Sequence, residues 1–184
     1  MSRYPKILKP TGYEPILVSP GHVINVPKVT PVFLPWCDNK ILDNYNGKQV
    51  LNVGGEPAFA ELAILWAMRA VGWEGVWIDT YGKKYRTGYW GVTPLSKLPP
   101  EQEQLLERIY TRAGSRSGAW DVYCWNDSNV LFAESKRAGR DKIRDSQRNW
   151  LAAAIGEGYP NEGFLVVEWS VGKDPGHGRR LKQS

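Results

Sequence analysis

The sequence predicts an α/β domain, and three observations carry that reading. Apolar residues recur at helical spacing over residues 58–72. Short apolar runs at 75–82, 119–125, 129–136 and 164–171 have the length and β-branched, aromatic content of strands. A second helical pattern, over about 141–157, separates the last two of those runs. With 184 residues, 42% of them hydrophobic, the chain is sized for one core and not for several domains.

Residues 1–47 carry Pro5, Pro10, Pro15, Pro20, Pro27, Pro31 and Pro35, which interrupt regular structure between short apolar runs. They predict a proline-rich arm wrapped on a compact domain over 48–172. The remaining stretch, 173–184, is polar, glycine-bearing and basic, and reads as a flexible tail. Within the domain, Glu56-Pro57 suits the cap and first turn of a helix that stops at Gly72. A strand at 75–82 leads into an aromatic, glycine-rich hairpin or loop reaching Gly91, and a polar helix follows over 100–113. Two strands then flank Asn126, Asp127, Ser128 and Asn129, a composition suited to a tight connection. The second helical pattern and the strand at 164–171 complete the order.

Lys and Arg number 24 against 19 for Asp and Glu, a net charge of +5, with an isoelectric point near 9.2. That balance permits a polyanionic partner without requiring one. Cys37 and Cys124 have neither CxxC spacing nor nearby histidines, which argues against a zinc site or a disulfide framework. No apolar stretch suits a signal peptide or a membrane span, so a cytoplasmic protein without a membrane partner is expected.

The chemistry concentrates around the connection at 126–129. Whether that loop has two residues or four, antiparallel pairing sets Asp121 directly opposite Glu134, and strand alternation puts Lys136 on the same face as Glu134. Opposed residues have Cβ atoms about 4.5–5.5 Å apart, where two carboxylates repel unless a cation lies between them. Magnesium, a hard ion that takes one or two carboxylates plus waters and phosphate, is the natural candidate. The competing reading is a solvated edge on which Lys136 forms a salt bridge.

Two further polar residues interrupt apolar stripes. Glu61 shares its helical face with Ile64, Leu65 and Met68, which calls for a partner; it equally suits the negative position of a helix start. Gln147 is spaced with Ile143, Trp150, Leu151 and Ala154, and a buried amide needs specific hydrogen bonds. Arg140, Arg144 and Arg148 follow at four-residue spacing as a helical ridge, either a solvated face paired with Asp141 and Asp145 or, with Arg137, a phosphate-binding group. Lys83, Lys84 and Arg86, interleaved with Tyr85, Tyr89 and Trp90, form a basic, aromatic segment suited to phosphates and unpaired bases; hairpin packing is the alternative.

In that order, Glu61 on a helix, Asp121, Glu134-Ser135-Lys136 and Gln147 on the next helix, the chain resembles the PD-(D/E)XK nuclease superfamily. Its run ESKRAGRDKIRDSQRNWLAAAIGEG is similar to the VRR-NUC group, which carries E-x-K, an acidic-basic-aliphatic run (here Asp141-Lys142-Ile143) and a Gln before an apolar helix. The similarity spans about residues 56–171, with Trp120 standing where the superfamily pattern has proline and a long helical insertion before Asp121. It implies a restriction-endonuclease-like αβββαβ core with a mixed central sheet flanked by helices, and Mg²⁺ or Mn²⁺ dependence. Asp121, Glu134, the Ser135 carbonyl and Glu61 would be metal ligands, and Lys136 would orient or help deprotonate water, with Gln147 supporting it. The expected activity is phosphodiester hydrolysis in DNA rather than RNA, by an endonuclease that a homodimer would adapt to both strands of a duplex. The alternative is a non-catalytic nucleic-acid-binding module that keeps the fold.

Overall fold

A computed structural model of the chain describes residues 3–37, 47–79, 84–90, 92–127 and 129–173. It is an α/β structure with a mixed, largely antiparallel central sheet and three helices among the described residues. In chain order these are β1 (Gly12–Ser19), β2 (His22–Val29), β3 (Val32–Pro35), β4 (Leu51–Val53), β5 (Glu56–Ala58), α1 (Ala60–Arg69), β6 (Glu74–Asp79), β7 (Lys84–Arg86), α2 (Pro100–Ala113), β8 (Val122–Asn126), β9 (Asn129–Arg137), α3 (Asp145–Gly156) and β10 (Phe164–Val171). The expected tail lies, apart from Lys173, outside the described residues, as do Ser128 and Lys83. No described helix is long and apolar enough to cross a membrane.

The strand order is β5-β4-β3-β10-β9-β8-β6-β7, with β2 sharing the β3 edge of β10 and β1 pairing with β2. β6, β8 and β9 run antiparallel in succession, while β10 lies parallel to β9, with Phe164 opposite Phe132 and Glu168 opposite Lys136. Strand alternation divides the apolar residues between two layers. On one face Val122, Cys124, Leu131, Ala133, Leu165 and Val167 pack with α1. On the other Tyr123, Phe132, Phe164 and Val166 pack with α2 and α3.

Within the expected arm, β1, β2 and β3 are strands of the sheet, and their Ile16, Ile24, Val26, Val29 and Phe33 are core residues. The prolines do not prevent this. Pro15 opposes Asn25 and Pro27 opposes Tyr13, so both fall in the same alternate set of cross-strand pairs, and one choice of which N–H groups cross the ladder accommodates both.

Two element boundaries also differ. Glu56-Pro57 forms β5 and not a first helical turn, because Gly54 and Gly55, at φ +64° and +93°, close a two-residue turn that folds β5 onto β4 with Val53 opposite Glu56. α1 therefore starts only after Phe59. α3 starts at Asp145 and not at 141. Asp141 Oδ2 accepts from the Arg137 backbone N–H at 2.9 Å across a turn containing Gly139 at φ +70°, and Gln147 Oε1 accepts from the Arg144 N–H at 3.0 Å as a cap. Arg140 is thereby outside the helix and Arg144 at its threshold, so the expected three-arginine ridge does not form. The same start leaves Ile143 ahead of the helix, from where it still packs against the core that holds Trp150.

One glycine fixes where α3 begins. Gly118 has φ +87°, and a Cβ there would stand 2.2 Å from the Ser146 carbonyl oxygen and 2.9 Å from the Gln147 nitrogen. Both the conformation and the space exclude a side chain. Gly118→Ala is therefore expected to destabilise the fold by more than about 1 kcal/mol, measured by urea denaturation. A variant as stable as the parent would show that α3 is not braced at this point.

Candidate metal centre

β8 and β9 pair from Asn126 opposite Asn129 to Val122 opposite Ala133, and the next step of that register sets Asp121 opposite Glu134, as the sequence predicts. Asp121 is fixed from both sides. Its carbonyl accepts from the Ile78 N–H of β6 at 2.8 Å, and its Oδ2 accepts from the Ser135 N–H of β9 at 2.9 Å. The Ser135 side chain lies on the other face, where its Oγ accepts from Trp169 Nε1 at 3.0 Å.

Glu134, Lys136 and Gln147 are buried, at 1%, 6% and 7% exposure. They form a closed triangle. Lys136 Nζ donates to Glu134 Oε1 at 2.6 Å and to Gln147 Oε1 at 3.1 Å, and Gln147 Nε2 donates to Glu134 Oε1 at 2.5 Å. Burial and these bonds rule out the solvated-edge reading of Lys136. The second oxygen is different. Glu134 Oε2 is buried with no hydrogen-bond donor, and the neighbouring Asp121 carboxyl can share a hydrogen bond with Glu134 only if one of the two acids carries a proton.

The electrostatics follow from that opposition. Burial and the charge of Glu61 push the Asp121 carboxyl up to about 6, against the Ser135 N–H and the Lys48 and Lys136 ammoniums that favour its anion. Burial and the Asp121 charge push Glu134 well above the ordinary carboxylate range, although Lys136 works in the other direction. Both acids pay for being close together and out of water.

Glu61 reaches the same region from the first turn of α1. Its carboxylate, 12% exposed, pairs with Lys48 Nζ at 2.5 Å. Lys48 lies ahead of β4 and carried no periodic signal in the sequence, which is why it was not anticipated. Among the described residues no three His, Cys, Asp or Glu side chains already stand as a ligand set. The residues nevertheless fit a hard divalent ion. Two opposed carboxyls, one oxygen of which is buried without a donor, supply the oxygens such an ion takes, and Mg²⁺ needs only one or two carboxylates beside waters. Glu61 would join them on leaving Lys48.

The expected phosphate-binding cations divide. Arg140, Arg144 and Lys84 are exposed, and Arg148 pairs with Asp145 at 3.1 Å. The Arg137 guanidinium lies 5.6 Å from the Trp169 ring centre. Arg86 is 6% exposed, its Nε 3.5 Å from Asp79 Oδ2, so it is an interior ion-pair partner and not a surface cation. Its signal was present in the sequence: Asp79 ends an apolar strand and needs a counter-charge once that strand is buried. Comparison of the chain with protein-family models, with curated proteins and with solved structures finds no match.

The raised Asp121 value sets a pH dependence. The folded protein holds this proton more tightly than the unfolded chain, whose carboxyl keeps a value near 3.8, so the folded state binds more protons between about pH 4 and 6 and stability falls as pH rises through that window. In EDTA, denaturation midpoints of the wild type are expected to drop between pH 4.5 and 7, and Asp121→Asn to flatten that drop. An Asp121→Asn profile parallel to the wild type would place the strain elsewhere.

Proposed function

We propose that the protein is a divalent-metal-dependent nuclease that hydrolyses phosphodiester bonds, with DNA as the favoured substrate. The observation that carries this reading is the Glu134 carboxyl: buried beside the Asp121 carboxyl, held through Oε1 by Lys136 and Gln147, and with a donorless Oε2. A purely structural ion pair needs neither the second acid nor the empty acceptor. The order α1, β6, β8, β9, α3, β10, antiparallel up to β9 and parallel at β10, supports a restriction-endonuclease-like αβββαβ core, with β7 and α2 as the insertion between its first two strands. That order, together with the sequence motif, supports the PD-(D/E)XK assignment.

The residues act as follows. Asp121 and Glu134 would hold the ion, with the Ser135 carbonyl and Glu61 as further oxygen donors. When bound, Mg²⁺ or Mn²⁺ would lower the pKa of a water and offset charge on the phosphoryl oxygens. Lys136 orients the attacking water and counters negative charge as it builds on the phosphoryl group. Water oxygen bonds to phosphorus and gives up a proton, the bond from phosphorus to one deoxyribose oxygen breaks, and that oxygen leaves with a proton. Gln147, an amide that does not titrate, keeps Glu134 and Lys136 in register. Arg140 and Arg144, exposed on the approach to α3, are the groups for backbone phosphates.

Lys136→Ala is expected to lower cleavage of end-labelled single-stranded, duplex, flapped and junction DNA by at least about a hundredfold in Mg²⁺ or Mn²⁺, with Glu134→Ala comparable and DNA binding kept. Full cleavage by both variants would sink the assignment. Binding of all these substrates by a wild type that cuts none would favour a non-catalytic binding module. Arg144→Ala should weaken binding regardless of sequence and reduce the slope of log affinity against log salt by roughly one unit, measured by titration at several salt concentrations.

A further inference from the structure

All nine tryptophans lie within the described residues, and Trp90, at 52% exposure, is the most exposed of them; the others are buried or half-buried. An indole exposed on this scale on a pinned backbone suggests a contact surface. The backbone on both sides of it is tied down. Trp77 Nε1 donates to the Gly88 carbonyl at 2.9 Å, the Tyr89 hydroxyl donates to the Pro57 carbonyl at 2.5 Å, and the Thr93 N–H donates to the Tyr89 carbonyl at 3.1 Å. Gly88 is needed for this packing, since a Cβ there would stand 2.3 Å from Thr93 Oγ1.

The ring is also braced from behind. The Arg86 guanidinium lies 5.5 Å from the Trp90 ring centre and 5.9 Å from that of Trp77, while Asp79 offsets its charge. Asp79 directly follows Ile78, whose N–H donates to the Asp121 carbonyl. The indole is thus linked through Arg86 and the end of β6 to the strand end that carries the metal-site acid. Lys84, exposed and opposite Asp79, lies two residues before Arg86 on β7 and so adds a cation on the strand face that Arg86 occupies.

We propose that Trp90 is a stacking platform for an unpaired nucleobase of the substrate strand, so that the protein engages single-stranded segments next to the cleavage site. This rests on the nuclease reading only for where the scissile phosphate lies. A base offers a flat π-face and an adjacent phosphate, which the pinned indole and Lys84 match together. An apolar protein partner would use the ring and the neighbouring Val92 and Leu95 but not the cation, and is the reading the test sets against this one.

The test is fluorescence anisotropy with the full chain in Ca²⁺, using labelled oligodeoxythymidylate and oligouridylate of about twenty nucleotides and a blunt duplex of similar length. Trp90→Ala is expected to weaken binding of a single-stranded probe by roughly 5- to 100-fold, with little change in duplex affinity or in the salt slope, because the lost contact is stacking and not a phosphate. Trp90→Phe should keep most of the affinity, and Trp90→Leu, apolar but without an aromatic face, should behave like the Ala variant and replaces it if that variant does not fold. Dependence on Trp90 with DNA alone, or with RNA as well, distinguishes the strand chemistry, and either supports the proposal. Equal affinity of wild type and Trp90→Leu for both single-stranded probes, an equal loss on duplex, or no single-strand binding by the wild type overturns it. The two readings fail separately. Trp90-dependent binding by a protein that cuts nothing removes the nuclease and leaves the platform, and Lys136-dependent cleavage with Trp90-independent binding does the reverse.

Discussion

Two carboxyls held face to face and away from water constrain everything else in this molecule. Moving one charged group out of water costs several kcal/mol even after the surroundings relax, and a second like charge beside it adds to that. Lys136 and Gln147 offset the cost at Glu134 Oε1 but not at Oε2. The Ser135 N–H and the more distant Lys48 and Lys136 ammoniums offset part of it at Asp121. A protein built only for stability would have little use for this arrangement, since replacing buried ion pairs with apolar groups is often neutral or favourable. The surrounding fold supplies the stability that the acids remove.

It does so by drawing each site residue from a different element with its own packing. Glu134 and Lys136 alternate along β9, a strand enclosed between β8 and β10, so their spacing cannot drift without moving Phe132 and Ala133 in the two core layers. Asp121 hangs from the β6–β8 and β8–β9 pairings at once. Gln147 comes from α3, which is held against the sheet by Trp150 and Leu151 and braced at its start by the close approach of Gly118. Glu61 comes from the opposite layer, through α1. The site is the place where both cores end at one edge of the strands.

How much of this was legible in the sequence depended on whether the deciding physics was local. The hairpin register followed from a short loop and a period of two, so Asp121, Glu134 and Lys136 were found together and the burial of Gln147 with them. β10 and α2 were equally plain, one a largely apolar run and the other a polar helix. What failed was settled by competition between local signals. Glu56-Pro57 suits a helix start, but Gly54-Gly55 just ahead of it makes a hairpin turn, and the hairpin prevailed because it adds β5 to a sheet. Asp141 and Gln147 each bond a backbone N–H that a helix from 141 would have used differently. The pairing of Lys48 with Glu61 joins residues thirteen apart with no local pattern to mark it, and the interior place of Arg86 follows only once the apolar strand ending at Asp79 is known to be buried.

The cations then separate by what burial has done to them, and that separation bears on how a polyanion would be met. Arg86 is committed to Asp79 and to two indoles, so its charge is spent inside the protein and its effect outside is to hold Trp90 still. Arg140, Lys142 and Arg144 remain exposed because Gln147 caps α3 late and leaves residues 138–144 as a loop instead of a helical turn. A loop of exposed cations suits phosphates at varied positions, whereas a fixed aromatic plane suits one base at a time. The same amide that holds Glu134 and Lys136 in register therefore also decides, through where the helix begins, which positive charges are left exposed.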